Sequence, residues 1–195
     1  MYRYKIIDYN QLIDKQRRRA MMDKTLLESL KKSLHEAIEH AELQYVIRAL
    51  QPNEKHPMDL LLLADPSEKS IEKYIDKSKV FVAIEDTLVV GVYVLMEMAP
   101  GKVEIMNVAV AKSHQGKGIG KALVQHAIKS ARLPSMESIE IGTGNSSIQQ
   151  LALYQKCGFR LKEIIHDYFV DNYDEPIFEN GIQCRDMVRL ALKFN

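Results

Sequence analysis

Residues 103–131, VEIMNVAVAKSHQGKGIGKALVQHAIKSA, decide how the rest of the chain is interpreted. Apolar, β-branched side chains recur through residues 103–110, which is typical of a half-buried strand. A glycine-rich turn follows at residues 115–120, and from Lys121 onward apolar side chains recur at helical spacing. The segment therefore predicts a strand, a tight turn and a helix in immediate succession.

The turn has the physical properties of an anion-binding site. The first N–H groups of a helix have no acceptor within the helix, and the helix dipole adds partial positive charge there. Glycines let the backbone approach an anion closely, and Lys117 and Lys121 add positive charge. The spacing G-x-G-x-G is neither the dinucleotide pattern nor the phosphate loop. The residues alone therefore leave two interpretations open, a phosphate or pyrophosphate site and a tight turn without a ligand.

Two ordered motifs resemble the GNAT superfamily of acyl-CoA N-acetyltransferases, of the small bacterial type. The turn at residues 115–120, QGKGIG, is similar to the family pattern Q/R-x-x-G-x-G/A. Residues 139–159 resemble the family's next strand and helix, which end in L-Y-x-x-x-G-F. The resemblance covers residues 42–195. It implies an enzyme, an acetyl-CoA-dependent N-acetyltransferase.

The periodicity of the chain predicts an α/β fold built on a mixed sheet. Antiparallel strands are expected at residues 45–50, 80–84, 88–96 and 103–110, with helices at 57–64 and 67–77 after the first. A helix at 119–132 leads to a strand at 138–142, which the crossover makes parallel to residues 103–110. The next helix is predicted to begin at Ser146 or Ser147 and to end at Cys157, with a capping box closed by Gln149 or Gln150. Strands at residues 159–170 and 184–194 complete the sheet. The expectation is a GNAT-like central seven-stranded mixed sheet flanked by helices, with an acidic loop between its last two strands.

A long amphipathic helix is predicted before this domain, at residues 11–40. Leu26, Leu30 and Leu34 recur every four residues on one face, and charged residues fill the other. Such a face needs a partner, either the domain itself or a second copy of the chain in a homodimer. We therefore expect an N-terminal helical extension, residues 1–41, and a GNAT acetyltransferase domain, residues 42–195.

The family resemblance also implies where the co-substrate acetyl-CoA binds. In that family the strand before the glycine turn and the strand after the helix splay apart, and the pantetheine arm lies between them. Backbone groups of the first strand would bind the arm and the thioester carbonyl, and the turn would bind the pyrophosphate. The cofactor-binding residues expected by this resemblance are Val108, Ala109, Val110, Gln115, Gly116, Lys117, Gly118, Ile119, Gly120, Lys121, Asn145, Ser147 and Leu151.

Two residues are the candidates for proton transfer. An amine arrives protonated, and Glu104 is the candidate base, because histone-acetylating members of the superfamily place a glutamate at the matching position. Strand periodicity would put Glu104 on the same face as Val108, and burial would raise its pKa. The alternative is a water chain held by Asn107 or Asn145. Tyr154 matches the family's general acid, which protonates the departing CoA thiolate in a direct transfer within a ternary complex.

The acceptor is less well defined by the sequence. Residues 163–180 contain six acidic side chains and no lysine or arginine, with aromatic residues interleaved. The segment would attract a small cationic amine or a peptide amine, or it is a solvated loop, and both interpretations stay open. The alternative function is a catalytically silent CoA-binding regulatory or assembly module.

Composition limits which partners, metals and cellular locations are expected for the chain. A formal net charge of +1 gives no reason to expect nucleic acid as a partner. The two cysteines suit a reducing cytosol, and the six histidines show no metal-binding spacing, so we expect a cytoplasmic protein without a metal. No apolar run approaches the length of about twenty residues that crosses a membrane.

Overall fold

The computed structural model of the protein describes residues 23–31 and 45–194. The chain divides into two units, Met1–Gln44 and Tyr45–Asn195. In the first unit, residues 23–31 form helix α1, on which Leu26, Leu27 and Leu30 are each more than half exposed. The rest of the amphipathic helix predicted at residues 11–40 lies outside the described residues.

The second unit contains nine strands and five further α-helices among the residues that the structure describes. The strands are β1 (Tyr45–Ala49), β2 (Lys79–Glu85), β3 (Leu88–Ala99), β4 (Lys102–Val110), β5 (Ser138–Gly144), β6 (Arg160–Ile165), β7 (Ile177–Glu179), β8 (Ile182–Cys184) and β9 (Met187–Lys193). The helices are α2 (Met58–Ala64), α3 (Glu68–Glu72), α4 (Ile119–Ala131), α5 (Ile148–Lys156) and α6 (Tyr168–Asn172), and short 3-10 turns lie at Ile75–Lys77 and Lys112–His114.

Seven of these strands form one mixed sheet in the order β1-β2-β3-β4-β5-β9-β6. Every neighbouring pair is antiparallel except β4 and β5, which are joined through α4 and run parallel. The α/β fold with a seven-stranded mixed sheet, and the parallel β4–β5 pair within it, are therefore confirmed. Strands β7 and β8 form a separate hairpin.

The sheet is covered by a hydrophobic core on each face. On one face, buried residues of α2 and α3, such as Leu61 and Ile71, pack with Val92 of β3. On the other, Leu123 of α4 and Tyr154 of α5 belong to a cluster that also contains strand residues. The sheet thus separates two helical layers, and a residue on β4 faces either the α2–α3 layer or the α4–α5 layer.

The predicted loop between the last two strands is wrong. The expected strand at residues 159–170 ends at Ile165, because Asp167 adopts a left-handed conformation, φ 54°, and precedes α6. The acidic segment then enters the β7–β8 hairpin at its C-terminal end. Asn180 and Gly181 both have positive φ, which is the geometry of a two-residue hairpin turn. The Asn-Gly pair was the sequence signal that could have predicted this hairpin.

Candidate active site

Strands β4 and β5 separate part-way along their length. They pair only from Lys102 to Ile105 and from Ser138 to Ile141. Beyond that point β4 remains paired with β3 as far as Val110, and β5 remains paired with β9 as far as Gly144. The edge of β4 that faces β5 is therefore open from Met106 onward, and a V-shaped gap lies between the two strands.

The backbone groups of Val108 and Val110 point into this gap. Along a strand the N–H and C=O groups of successive residues point to opposite sides. The Ala111 N–H donates to the Val90 carbonyl of β3 at 2.9 Å, so Ala109, two residues earlier, also directs its N–H and C=O toward β3. The gap side is left to Val108 and Val110. Of the three expected strand residues, Ala109 thus has its backbone groups turned away from the gap.

The glycine turn presents free N–H groups at the start of α4. Gly116 and Gly118 have φ of 77° and 84°, which only glycine adopts without strain, and α4 begins after Gly118. No described residue accepts a hydrogen bond from the N–H of Gly116, Lys117 or Gly118. A Cβ atom at either glycine would meet nothing within 4 Å. The turn therefore offers unpaired donors and open space, which suits a phosphate.

The side chains around the turn complete this anion-binding arrangement. Gln115 Nε2 donates to the Val110 carbonyl at 3.0 Å and so connects the turn to the end of β4. Lys117 and Lys121 are exposed beside it. The residues present therefore fit the pyrophosphate of a CoA molecule whose arm lies along β4.

A β-bulge in β4 changes the face on which Glu104 lies. The register with β3 shifts between Val94↔Asn107 and Leu95↔Ile105, which leaves Met106 without a cross-strand partner. Val108 packs against the α4–α5 cluster together with Ile105, so Glu104 faces the opposite side of the sheet. The prediction that Glu104 and Val108 share a face is wrong, because strict alternation fails at the bulge.

Glu104 is a buried carboxylate held by an arginine. Glu104 is 7% exposed, and its Oε2 atom accepts a hydrogen bond from Arg189 on β9 at 2.5 Å. Burial raises the pKa of Glu104, and Arg189 acts against this by favouring the ionised form. The direction of the shift agrees with the prediction for a base.

Tyr154 lies on α5, on the other face of the sheet from Glu104. It is 4% exposed, packs beside Phe159 with ring centroids 6.4 Å apart, and belongs to the cluster that Val108 and Val110 contact. Its hydroxyl makes no hydrogen bond with a residue of the described ranges. Burial raises the pKa of Tyr154 well above its usual range, so the hydroxyl keeps its proton at neutral pH.

Ser147 and Asn145 are held by structural hydrogen bonds. Ser147 precedes α5, but its hydroxyl makes no capping bond and instead donates to Glu179 of β7 at 2.5 Å, so the predicted capping box is wrong. Asn145 Oδ1 accepts from the N–H groups of Arg185 and Asp186, and its Nδ2 donates to the Gln183 carbonyl. The Asn145 side chain therefore connects β5 to the β8–β9 loop. One of its two Nδ2 hydrogens makes no hydrogen bond with a described residue.

Leu151 and Asn107 lie on opposite faces of the sheet. Leu151 is half-buried against the α4–α5 cluster. Asn107 Nδ2 donates to the Leu61 carbonyl and to the Tyr74 hydroxyl, which fixes the side chain on the α2–α3 side. Its buried Oδ1 has no partner among the described residues, so it offers an acceptor that a water molecule can fill.

An aromatic and acidic surface lies on the same side of the sheet as Glu104. Tyr168, Phe169 and Tyr173 of the α6 region form successive ring contacts at 5.2 and 5.6 Å. The Tyr173 hydroxyl donates to Asp65 at the end of α2 at 3.0 Å. Burial raises the pKa of Tyr168, and the nearby carboxylates of Asp65 and Glu104 raise it further.

Asp65 and Arg189 were absent from the residues singled out in the sequence. Each lies far along the chain from its partner in the site, so only the fold brings them together, and no local pattern marks them. Asp65 sits at a helix end beside Pro66, where an acidic residue needs no functional explanation, and Arg189 lies between apolar residues within a strand. That strand arginine is a weak signal of a buried ion pair.

Two findings concern other kinds of site. No described part of the chain contains a helix long and apolar enough to cross a membrane. Among residues 23–31 and 45–194 there is also no group of three or more His, Cys, Asp or Glu side chains placed to hold a metal ion.

Comparison with known families identifies this arrangement. The model of the acetyltransferase (GNAT) family matches residues 32–159, which include β4, the glycine turn, α4 and α5. The chain belongs to the GNAT family. The match begins ten residues before position 42, inside the segment assigned to the N-terminal extension.

Similar proteins agree with this assignment. The chain is 57% identical over 134 residues to an uncharacterized N-acetyltransferase, YvbK, of Bacillus subtilis, and the match spans 69% of this chain and 86% of that protein. An IAA acetyltransferase from Bacillus cereus is 54% identical, with a TM-score of 0.74, over 77% of this chain and 99% of that one. A GNAT acetyltransferase from Elizabethkingia anophelis, solved with acetyl-CoA bound, is 41% identical, with a TM-score of 0.76, over 78% and 100%.

These findings establish the class of enzyme. The protein is an N-acetyltransferase of the GNAT family with acetyl-CoA as its co-substrate. The open edge of β4 and the unpaired N–H groups of the glycine turn fit that co-substrate.

Proposed function

We propose that this GNAT enzyme transfers the acetyl group directly to the primary amine of a small cationic acceptor, with both substrates bound at once. The observation that carries the proposal is the placement of Glu104 and the aromatic, acidic surface on one face of the sheet, opposite Tyr154. The gap between β4 and β5 passes between these faces. An acceptor and a thioester can therefore approach one another from two sides.

In this proposal the open edge of β4 orients acetyl-CoA. Val108 and Val110 supply backbone groups to the pantetheine arm and the thioester carbonyl. A backbone N–H directed at that carbonyl also stabilises the oxyanion that forms when the amine attacks. Gly116, Lys117 and Gly118 supply N–H groups to the pyrophosphate.

Glu104 is the proposed base. The ammonium of the acceptor gives one proton to the Glu104 carboxylate, and the neutral nitrogen attacks the carbonyl carbon. As the C–S bond breaks, the nitrogen loses its second proton and the sulfur gains one, so the complete reaction releases one proton. A buried carboxylate with a raised pKa suits this role, because it is a stronger base than an exposed one.

Tyr154 is the proposed acid that donates to the departing thiolate. Its hydroxyl keeps its proton at neutral pH and has no competing hydrogen bond within the described residues. The second proton from the nitrogen returns the tyrosine to its starting state.

The acceptor class follows from the charge and the rings beside Glu104. Asp65 and Glu104 are carboxylates, and Tyr168 and Tyr173 are aromatic rings near them. Carboxylates attract an ammonium ion, and aromatic faces add cation–π attraction. A small cationic amine fits this surface better than an anion or an apolar alcohol.

The test is thiol release from acetyl-CoA against polyamines, aminoglycosides and peptide amines, with IAA, the compound in the name of the Bacillus cereus relative, for comparison. We expect turnover with one class of cationic amine and a loss of roughly 10²–10⁴-fold in kcat for Tyr154→Phe. The matched control is Tyr93→Phe, which removes another buried hydroxyl, one bonded to His126 on α4. Turnover with IAA alone, or equal losses in the two variants, would contradict the proposal.

A further inference from the structure

We infer that Arg189 is a positioning residue for the reaction, holding the Glu104 carboxylate ionised and correctly oriented within the sheet. The inference rests on the proposed role of Glu104 as the base. It concerns a residue of β9 that the glycine turn and the L-Y-x-x-x-G-F motif do not include.

Arg189 lies at the centre of a charged cluster on the α2–α3 face of the sheet. Its Nη2 atom is 2.5 Å from Glu104 Oε2 and 3.3 Å from Glu140 Oε2 on β5. Lys162 on β6 donates to both oxygens of Glu140, at 2.9 and 3.0 Å. Glu163 lies 3.7 Å from both Arg189 Nε and Lys162 Nζ. From its position on β9, one guanidinium therefore contacts residues of three other strands, β4, β5 and β6.

The charges of this cluster do not cancel. Three carboxylates, Glu104, Glu140 and Glu163, face two cations, Arg189 and Lys162, which leaves one negative charge in excess. Tyr168 of α6 also faces Glu104 and is neutral in this state. An incoming ammonium would balance the cluster. After it transfers its proton to Glu104, the cluster stays balanced while the amine becomes neutral, which is the form that attacks.

The structure explains why a cation is needed at position 189. Glu104 and Glu140 approach the same Nη2 atom, so without Arg189 two buried carboxylates would repel one another. Glu104 would then bind a proton more tightly and stop serving as a base at neutral pH. The Arg189 side chain is only 21% exposed, so solvent screens these interactions weakly.

Two substitutions should move the pH profile in opposite directions. In Arg189→Met the cation is lost, so we expect the acid limb of kcat/KM to move up by about one pH unit or more. In Glu140→Gln a neighbouring negative charge is lost, so the acid limb should move down. Arg189→Lys keeps the positive charge but loses the planar guanidinium that orients the Glu104 carboxylate. Its acid limb should therefore stay close to that of the wild type, while kcat falls.

Further variants separate this inference from the proposed function. If Glu104→Gln leaves kcat/KM unchanged, the base is elsewhere and the proposed role of Glu104 fails. If Glu104→Gln is inactive but the Arg189 and Glu140 variants keep the wild-type acid limb, only the inference about Arg189 fails. Lys162→Met, which removes a cation that contacts Glu140 and not Glu104, is the control and should shift the limb less than Arg189→Met.

A structural role alone would give a different result. Arg189→Met leaves the buried Glu104 carboxylate without its cation, while Glu140 keeps Lys162, and it should lower the melting temperature, so melting and the stabilisation by CoA are measured on every variant. Should Arg189→Met fail to fold, Glu140→Gln and Arg189→Lys still test the pH dependence. A wild-type acid limb in Glu140→Gln, together with a wild-type kcat in Arg189→Lys, would overturn the inference even if the melting temperature of either variant falls.

Discussion

Gly118 and Gly120 form a matched pair for testing the proposed pyrophosphate site. Gly118 has φ of 84°, and a Cβ atom there would enter open space. Gly120 lies in the first turn of α4, and a Cβ atom there would make ordinary contacts with Val110 at 3.7 Å and Leu153 at 3.9 Å. Each substitution by alanine adds one methyl group, but the methyl at position 118 would enter open space beside the unpaired N–H groups, whereas the methyl at position 120 would pack against protein side chains, at a position where the family pattern also allows alanine.

The magnitudes follow from these geometries. An alanine in the left-handed conformation lowers the free energy of unfolding by about 1–2 kcal/mol. Alanine also restricts the unfolded chain, which raises the free energy of unfolding by about 0.4–1 kcal/mol. Gly118→Ala should therefore lower the stability of the free protein by about 1 kcal/mol, or roughly 2–4 °C in melting temperature. Gly120→Ala should raise it by about 0.5 kcal/mol, because alanine favours the helix. For CoA, losing one hydrogen bond to a charged group, about 1.5–3 kcal/mol, weakens binding roughly 10–100-fold in Gly118→Ala.

Calorimetric titration with CoA and kinetics with acetyl-pantetheine test this reasoning. Acetyl-pantetheine lacks the pyrophosphate, so kcat/KM for it should be similar in the two variants, whereas the CoA dissociation constant should differ. Wild-type affinity for CoA in Gly118→Ala would refute the placement of the pyrophosphate at this turn. An equal loss with acetyl-pantetheine would show that the substitution disturbs the strand rather than a phosphate contact.

Two further predictions concern the end of β5. In Gly144→Ala the new Cβ atom would lie 2.3 Å from Cys184 Sγ, so β8 must shift and stability should fall by about 1–3 kcal/mol. Adding Cys184→Ala should restore most of the lost melting temperature, and no restoration would exclude this clash as the cause. In Asn145→Ala the N–H groups of Arg185 and Asp186 lose their acceptor, and we expect a loss of about 1–3 kcal/mol in stability, from two hydrogen bonds of about 0.5–1.5 kcal/mol each, with a smaller change in CoA affinity than in Gly118→Ala. If Asn145→Ala keeps the wild-type melting temperature but loses CoA binding, the main role of Asn145 is to bind the cofactor and not to stabilise the fold.

The central part of the fold could be predicted because its signals are local. The strand, glycine turn and helix from β4 to α4 follow from spacing within thirty residues, and the short α4 crossover fixes the parallel β4–β5 pair. The region after β6 was harder, because its helix is five residues long and its hairpin strands three each. Such short elements leave almost no periodicity to detect, and only the Asn180-Gly181 pair marked the hairpin.

The residues of the candidate site could be predicted where they belong to a contiguous sequence motif. They could not be predicted where only the tertiary structure brings them together. The glycine turn, Glu104 and Tyr154 lie in contiguous stretches that match a known pattern. The Arg189–Glu104 contact joins residues 85 positions apart, and the Asp65–Tyr173 contact joins residues 108 positions apart. Neither pair has a local signature, since an arginine in a strand or an aspartate at a helix end is explained equally well without a site.

The bulge at Met106 is what relates the two halves of the candidate site. Without it, alternation along β4 would put Glu104 and Val108 on one face, and Glu104 and the α4–α5 layer would lie on the same side of the sheet. The extra residue puts Glu104 on the α2–α3 side with Asp65 and Tyr168, while Val108 packs toward Tyr154. The proposed base on one face and the proposed acid on the other can serve opposite sides of one carbonyl carbon. With these proposed roles, the division favours the proposed direct transfer between two bound substrates over a covalent acetyl-enzyme, because the attacking amine and the leaving sulfur would each meet their own proton-transfer group.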